Sequence, residues 1–195
     1  MPKIVVAVTK ERLTAAATSW IEVALFNGAL AVDATVGNGY DASFLAHRVG
    51  AKGRVLGFDV QKSALAGARE LLKFVGSIDR VSLIHDSHSR LADYLPEHAA
   101  IQGAMFNLGY LPRGNRQIFT RPETTITALR AVLAHLAEHG RVTLLVYRGH
   151  EGGVEEYLEV REFLEQLPAQ QWHIEELVSA SDSPIAPRLF RLQKK

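Results

Sequence analysis

From Leu30 to Asp59 the chain reads LAVDATVGNGYDASFLAHRVGAKGRVLGFD. An apolar run closes on Asp33, and a tight Gly37-Asn38-Gly39 turn and a helix-like segment follow. A second apolar run, Val55 to Phe58, closes on Asp59. Strand, glycine turn, helix and strand with a terminal acid form half of a nucleotide-cofactor site. Asp59 follows Gly39 by 20 residues, about the spacing at which a carboxylate reaches a ribose hydroxyl pair. A glycine pair after a strand is also an ordinary βα turn. Both acids, however, end apolar runs, and open α/β sheets bind ligands at the carboxyl ends of their strands.

Asp33 decides between cofactors. Gly37-Asn38-Gly39-Tyr40-Asp41-Ala42 fits the dinucleotide pattern with alanine in the third glycine position. A dinucleotide sets its pyrophosphate on this turn, against bare amides and the positive helix end. A carboxylate four residues before Gly37 repels that phosphate and loses solvation in doing so. S-adenosylmethionine brings an ammonium and a sulfonium instead, so the charge argument favours it over NAD.

The 195 residues, 47% hydrophobic and 22% charged, are expected to form a single domain over 1–195. A net charge of +1 gives no global field for nucleic acid, although a local basic patch stays open. The chain has no cysteine, which excludes disulfides, thiol nucleophiles and thiolate zinc sites; no metal is expected. No apolar stretch approaches the roughly 20 residues needed to span a bilayer. The opening MPKIVVAVTKER holds a short apolar run without a signal-peptide layout, so a cytoplasmic location is expected.

Apolar spacing predicts helices over Thr9 to Phe26, Tyr40 to Val49, Gln61 to Val75, Pro122 to Glu138 and Val154 to Gln166. A short helix over Ser89 to Leu95 is ended by Pro96. Strands are expected at Val81 to His85, Ile101 to Phe106, Val142 to Tyr147, Trp172 to Val178 and Arg188 to Leu192, besides the two described above. Alternating strands and helices imply a mainly parallel, helix-covered sheet. Two final strands with no helix between them add one antiparallel strand, which fits the methyltransferase variant of this fold and not a dinucleotide domain.

Three further segments carry chemistry. In Ile84-His85-Asp86-Ser87-His88, Asp86 can accept a hydrogen bond from an adenine amino group with Ser87 in support. A polar turn capping the next helix through Ser87 or Ser89 fits the same residues. Asn107-Leu108-Gly109-Tyr110 has the spacing of the Asn-Pro-Pro-Tyr signature of methyltransferases that act on amino groups. There the Asn oxygen and nearby carbonyls accept the target N–H groups and aim the lone pair at the methyl carbon, while the ring offers a face. An Asn-Gly turn with a core tyrosine remains the plain alternative. Arg113, Arg116 and Arg121 in the following loop can hold phosphates or stand as solvated surface. His150 ends the next strand.

Taken together, DATVGNGYD, GFDVQ, HDSH and NLGYLPRGN resemble the family of small bacterial methyltransferases long labelled rRNA-methylase-like (MnmM), over about Ala31 to Leu192. Its characterised members methylate the 5-aminomethyl group of the wobble uridine in certain tRNAs. The resemblance implies a Rossmann-like class I methyltransferase fold, with a mainly parallel seven-stranded sheet, a C-terminal antiparallel strand and helices on both faces. It implies a site at Asp33, Gly37, Asn38, Gly39, Asp59, Gln61, Asp86, Ser87, Asn107 and Tyr110; Thr35, Asp41 and Gly109 are expected to complete the S-adenosylmethionine site. Tyr110, Arg113, Arg116 and Arg121 are then expected to meet RNA, the anticodon region of a tRNA. Arg113-Gly114-Asn115 stands where the family has Gly-Gly-Asp, and Ser183-Pro184-Ile185-Ala186-Pro187 where it has Asn-x-Pro-Pro-hydrophobic; both departures fall where substrate is read.

In the expected reaction Asn107 and Tyr110 position the amine, and His88, Asp86 or His150 receives its proton. The same chemistry on a small-molecule or protein amine, an NAD-linked oxidoreductase, and a non-catalytic cofactor- or RNA-binding module are the alternatives. A near-neutral chain without a separate RNA-binding domain is also a candidate homodimer.

Overall fold

The computed structural model describes residues 4–112, 114–115, 117–181 and 183–195. The elements run β1 Val5–Thr9, α1 Leu13–Glu22, β2 Leu30–Asp33, α2 Tyr40–Val49, β3 Arg54–Asp59, α3 Lys62–Phe74, β4 Val81–His85, β5 Ile101–Leu108, α4 Pro122–Ala134, β6 Leu136–Val146, α5 Gly153–Glu165, β7 Trp172–Ser179 and β8 Arg188–Lys194. A 3-10 helix, His88–Tyr94, follows β4.

The strands form one sheet in the order β1-β7-β8-β6-β5-β2-β3-β4. Every neighbouring pair is parallel except those made by β8, which runs antiparallel to both β6 and β7. The chain leaves β2 toward β3 and β4, then crosses back to build β5 and β6 on β2's other side. That reversal opens a crevice at the carboxyl ends of β2 and β5, where open sheets bind ligands.

Successive residues of a strand face opposite sides, and the central strands are apolar on both. Val32, Phe106, Leu144 and Phe190 join one core with α4 and α5. Ala31, Met105, Leu145 and Leu189 join the other, with α1 and α2. Helices therefore cover both faces, as the alternation of elements predicts. In α3 the buried residues Ala64, Leu65, Ala68 and Leu72 repeat at helical spacing, which seats it on the sheet.

The sheet has eight strands where seven were expected. The extra one is β1, drawn from the opening apolar run and hydrogen-bonded in parallel to β7 at the sheet's edge. Val5, Val6 and Val8 are each more than half exposed, so no buried face imposes a strand period on the sequence there. Helix α1 is correspondingly shorter than Thr9 to Phe26, because Thr9 belongs to β1. Helix α4 ends at Ala134 and not at Glu138: β6 already begins at Leu136. Its register against β5 slips between the Ile101–Leu136 and Gly103–Arg141 pairs, and the surplus is absorbed around His139 (φ 59°) and Gly140.

Phe190 is fully buried in β8 and stacks on Tyr157 of α5, centroids 5.8 Å apart. Phe190→Ala is expected to lower unfolding free energy by about 3 to 5 kcal/mol in urea denaturation, with folded-state spectra preserved.

Candidate active site at the carboxyl edge of the sheet

Asp33 ends β2, Asp59 ends β3, Asp86 follows β4, Asn107 sits near the end of β5 and Tyr147 follows β6. These strand ends surround a cavity of about 930 Å³. Thr35, Gly37, Asn38, Asp41, Asp59, Gln61, Asp86, Ser87, His88, Asn107, Gly109, Tyr110, Arg121 and His150 all line it, so the sheet gathers most of the residues singled out in the sequence. Arg113 and Arg116 lie outside the described residues.

The glycine turn is shaped by backbone and packing. Gly37 (φ 50°) and Gly39 (φ 84°) take left-handed conformations that favour glycine. A side chain on Gly39 would also press to 2.8 Å of the Ala68 Cβ in α3. Asp59 fixes this turn: its Oδ2 accepts the Gly37 N–H at 2.9 Å and its Oδ1 the Gln61 N–H at 2.8 Å. Each carboxylate oxygen still has a lone pair for a hydroxyl.

Asp33 is fully buried and lies behind the cavity wall. Its Oδ1 accepts the Thr35 N–H at 3.1 Å, and its Oδ2 is buried without a partner among the described residues. Burial first, then the nearby Asp41 and Asp59 carboxylates, push its carboxyl well above the ordinary range against the Thr35 and Ala42 amides. Asp41, in the first turn of α2, is also raised by burial, while a hydrogen bond from the Asn107 side-chain amide opposes the shift. Thr35 holds the same residue from the other side, its hydroxyl accepting the Asn107 backbone N–H at 2.7 Å.

This electrostatics suits S-adenosylmethionine. A buried carboxylate oxygen without a partner, beside two more acids, stabilises a cationic ligand and repels a pyrophosphate. Asp41 also stands at the positive end of α2, which a dinucleotide needs free for its phosphates. The direct contact expected of Asp33 is the point that differs: Asp41, not Asp33, is exposed to the cavity, and Asp33 acts on it from behind.

The three expected proton acceptors fare unequally. Asp86 has its carboxylate engaged by the Tyr94 hydroxyl at 2.8 Å, the Ser87 N–H at 2.8 Å and the Arg90 guanidinium at 3.0 Å. The Tyr94 and Ser87 hydrogen bonds chiefly hold it below the usual carboxylate range, making it a poor base. Ser87 is the N-cap of the 3-10 helix, accepting the Ser89 N–H at 3.2 Å, as the capping alternative foresaw. His88 is buried, and its Nδ1–H donates to the Ala34 carbonyl at 3.0 Å. Burial pulls its pKa down to about 4, so it stays neutral at pH 7 and cannot hold a proton there. His150 packs between Tyr110 and Phe119, centroids 5.7 and 5.6 Å away, and its Nδ1–H donates to the Glu151 carbonyl at 2.8 Å. Its Nε2 is buried without a partner among the described residues.

The wall beside His150 contains a residue that sequence reasoning missed. Glu156 of α5 is fully buried and accepts the Thr120 and Thr125 hydroxyls, each at 2.7 Å. With the Tyr110–Phe119 bridge and the Thr120 N–H to Gly109 carbonyl bond of 2.9 Å, it ties down the loop after β5. Arg121 lies with its guanidinium 5.6 Å from the Phe119 ring centre on the same loop. The available signal was positional: Glu156, Val160 and Phe163 share one helical face, and an acid on an apolar stripe is anomalous. Among the described residues no group of acids and histidines could hold a metal ion, and no helix is long and apolar enough to cross a membrane.

Comparison with known proteins places the fold among methyltransferases. A family model described as "Putative rRNA methylase" matches residues 55–193. A second, for protein-L-isoaspartate(D-aspartate) O-methyltransferase, matches residues 4–101, the segment that carries the acids. A chloroplastic tRNA (mnm(5)s(2)U34)-methyltransferase of Arabidopsis thaliana is 39% identical over 161 residues. That match takes in 78% of this chain but only 58% of the relative's length. A "putative rRNA-methylase" from Clostridium thermocellum superimposes with a TM-score of 0.91 at 37% identity, over 96% of this chain and 100% of its own. A "putative methyltransferase" from Streptococcus mutans, in complex with SAH, gives 0.86 at 34% identity, also over 96% and 100%.

Because the Asp33 carboxyl is raised in the folded state, the native protein binds that proton more tightly than the unfolded chain. Wild-type stability therefore falls as pH rises above the ordinary aspartate range. Asp33→Asn removes this penalty. Thermal unfolding of the ligand-free variant is expected at a higher midpoint than wild type at pH 8, the gap narrowing at pH 5, while calorimetric affinity for S-adenosylmethionine falls at least about tenfold.

Proposed function

The chain belongs to the rRNA methylase family, whose fold is that of S-adenosylmethionine-dependent methyltransferases, and we propose that it methylates the 5-aminomethyl group of a tRNA wobble uridine. The observation that carries this reading is the hydrogen bond from the Asn107 side chain to Asp41. The carboxylate only accepts, so it takes the amide N–H and turns the carboxamide oxygen into the atom available to an incoming amine. An Asn oxygen held this way aims the nitrogen lone pair, a positioning effect worth several kcal/mol of barrier. The name of the Arabidopsis relative supports the tRNA and the wobble position.

S-adenosylmethionine, when bound, supplies the electrophilic methyl group. In this proposal Asp59 holds the ribose, Gly37 to Gly39 and Thr35 shape the floor, and Asp33 and Asp41 favour the cationic end. Gln61, Asp86 and Ser87 border the adenine side. Tyr110 and His150 form an aromatic wall for the uracil ring, and Arg121, with Arg113 and Arg116, contacts backbone phosphates. A cytoplasmic setting and a second copy of the chain, offering more surface to tRNA, belong to the same proposal. A monomer mass by light scattering at working concentration would remove the second copy.

The test uses S-adenosylmethionine with a deuterated methyl group and tRNA carrying unmethylated 5-aminomethyl wobble uridine, followed by mass spectrometry of the digested nucleosides. A labelled methyl on that nucleoside is expected. Confirmed cofactor binding with no label on the RNA would move the reaction to another amine. Asn107→Ala is expected to lower kcat at least about 100-fold with the cofactor still bound, and affinity for tRNA should fall steeply with salt.

A further inference from the structure

The acids around the cavity divide by what already occupies them. Asp59 holds two backbone amides, Asp86 holds Tyr94, Ser87 and Arg90, and Asp33 lies behind the wall. Asp41 remains, exposed to the cavity and hydrogen-bonded through Oδ2 to Asn107, with no cation opposite it among the described residues.

Its position is informative. The adenosine side of the cavity is built on the ends of β3 and β4, where Asp59 and Asp86 stand. Asp41 reaches the other side: it touches Asn107 near the end of β5, and the Tyr147 hydroxyl after β6 is raised by burial first and then by the Asp41 charge. Among the described residues, the groups facing it are Asp33 from β2, Asn107 from β5 and Tyr147 after β6, with the Asp59 carboxylate acting on the same cluster from β3. None is a cation.

We propose that Asp41 is a catalytic carboxylate that pairs with the substrate ammonium at Asn107 and takes its proton before methyl transfer. This rests on the amine reading above and deepens it. An alkylamine resembles lysine, with a reference pKa of about 10.4, and is protonated at pH 7. In the step, one N–H bond of the ammonium breaks and an O–H bond forms on the Asp41 Oδ1. The nitrogen keeps the electron pair that then bonds to the methyl carbon. The product leaves as a secondary ammonium, and Asp41 returns its proton to water through the open cavity. Burial, which already favours the protonated carboxyl, makes Asp41 a stronger base than an aspartate in water, and the facing carboxylates make the site selective for a cationic amine.

The experiment follows kcat against pH for wild type and Asp41→Asn on tRNA with 5-aminomethyl wobble uridine, with S-adenosylmethionine affinity measured by calorimetry. With S-adenosylmethionine held saturating for each protein, the variant is expected to lose about 100-fold in kcat at pH 7. That loss should shrink about tenfold per pH unit toward pH 9, as free amine becomes available from solution. A parallel loss at every pH, or wild-type kcat, overturns the proposal. So does a loss confined to cofactor affinity with full turnover at saturation. The size-matched pair Asp41→Glu and Asp41→Gln gives a second comparison, in which only Glu should retain turnover at pH 7. Wild-type protein inert on this tRNA overturns the function above and this inference together; an active wild type with an unaffected Asp41→Asn overturns the inference alone.

Discussion

Three carboxylates, with no cation between them among the described residues, are held at the carboxyl ends of two adjacent parallel strands and the start of the helix that joins them. Asp33, Asp41 and Asp59 would separate in water; the sheet does not let them. β2 and β3 pair through Asp33 opposite Gly57, and the turn between β2 and α2 is pinned to Asp59 through the Gly37 amide. The backbone thus places the charges before any ligand arrives. The protein carries that repulsion as a loss of stability and recovers it as affinity for a cation, the exchange that pre-organised binding sites make.

The same constraint orders the rest of the cavity. Asp41 fixes the Asn107 amide, Thr35 fixes the Asn107 backbone, and the loop after β5 is closed by Glu156 through two threonine hydroxyls. Acids at the sheet's edge therefore do three different jobs. Asp59 and Glu156 hold backbone and loops, Asp33 sets the potential from behind, and Asp41 faces the cavity. Residue type alone does not separate these roles; burial and partners do.

Much of the fold was legible because the central elements are periodic. β2, α2, β3, α3 and β4 fall within a residue or two of their expected bounds, since the strands are short apolar runs and the helices carry an apolar face repeating at 3.6 residues. The departures come where burial does not write a pattern. β1 is an edge strand with exposed valines, and the end of α4 depends on a register slip between β5 and β6 that only pairing reveals. In the cavity, the acids and Asn107 stood out because polar residues ended apolar runs. His88 misled because titration depends on surroundings: nothing in Asp86-Ser87-His88 says that His88 is buried against Ala34 and Phe106. Glu156 went unremarked because it lies far from the glycine turn and reaches the cavity only through Thr120.

The carboxylates favour a cationic, phosphate-free cofactor at a turn whose sequence also fits a dinucleotide. Isothermal titration calorimetry of the ligand-free protein against S-adenosylmethionine, and in parallel against NAD+, tests this preference most directly. Saturable one-to-one binding of S-adenosylmethionine and no heat of binding for NAD+ are expected. Saturable binding of NAD+ with none of S-adenosylmethionine would contradict the preference.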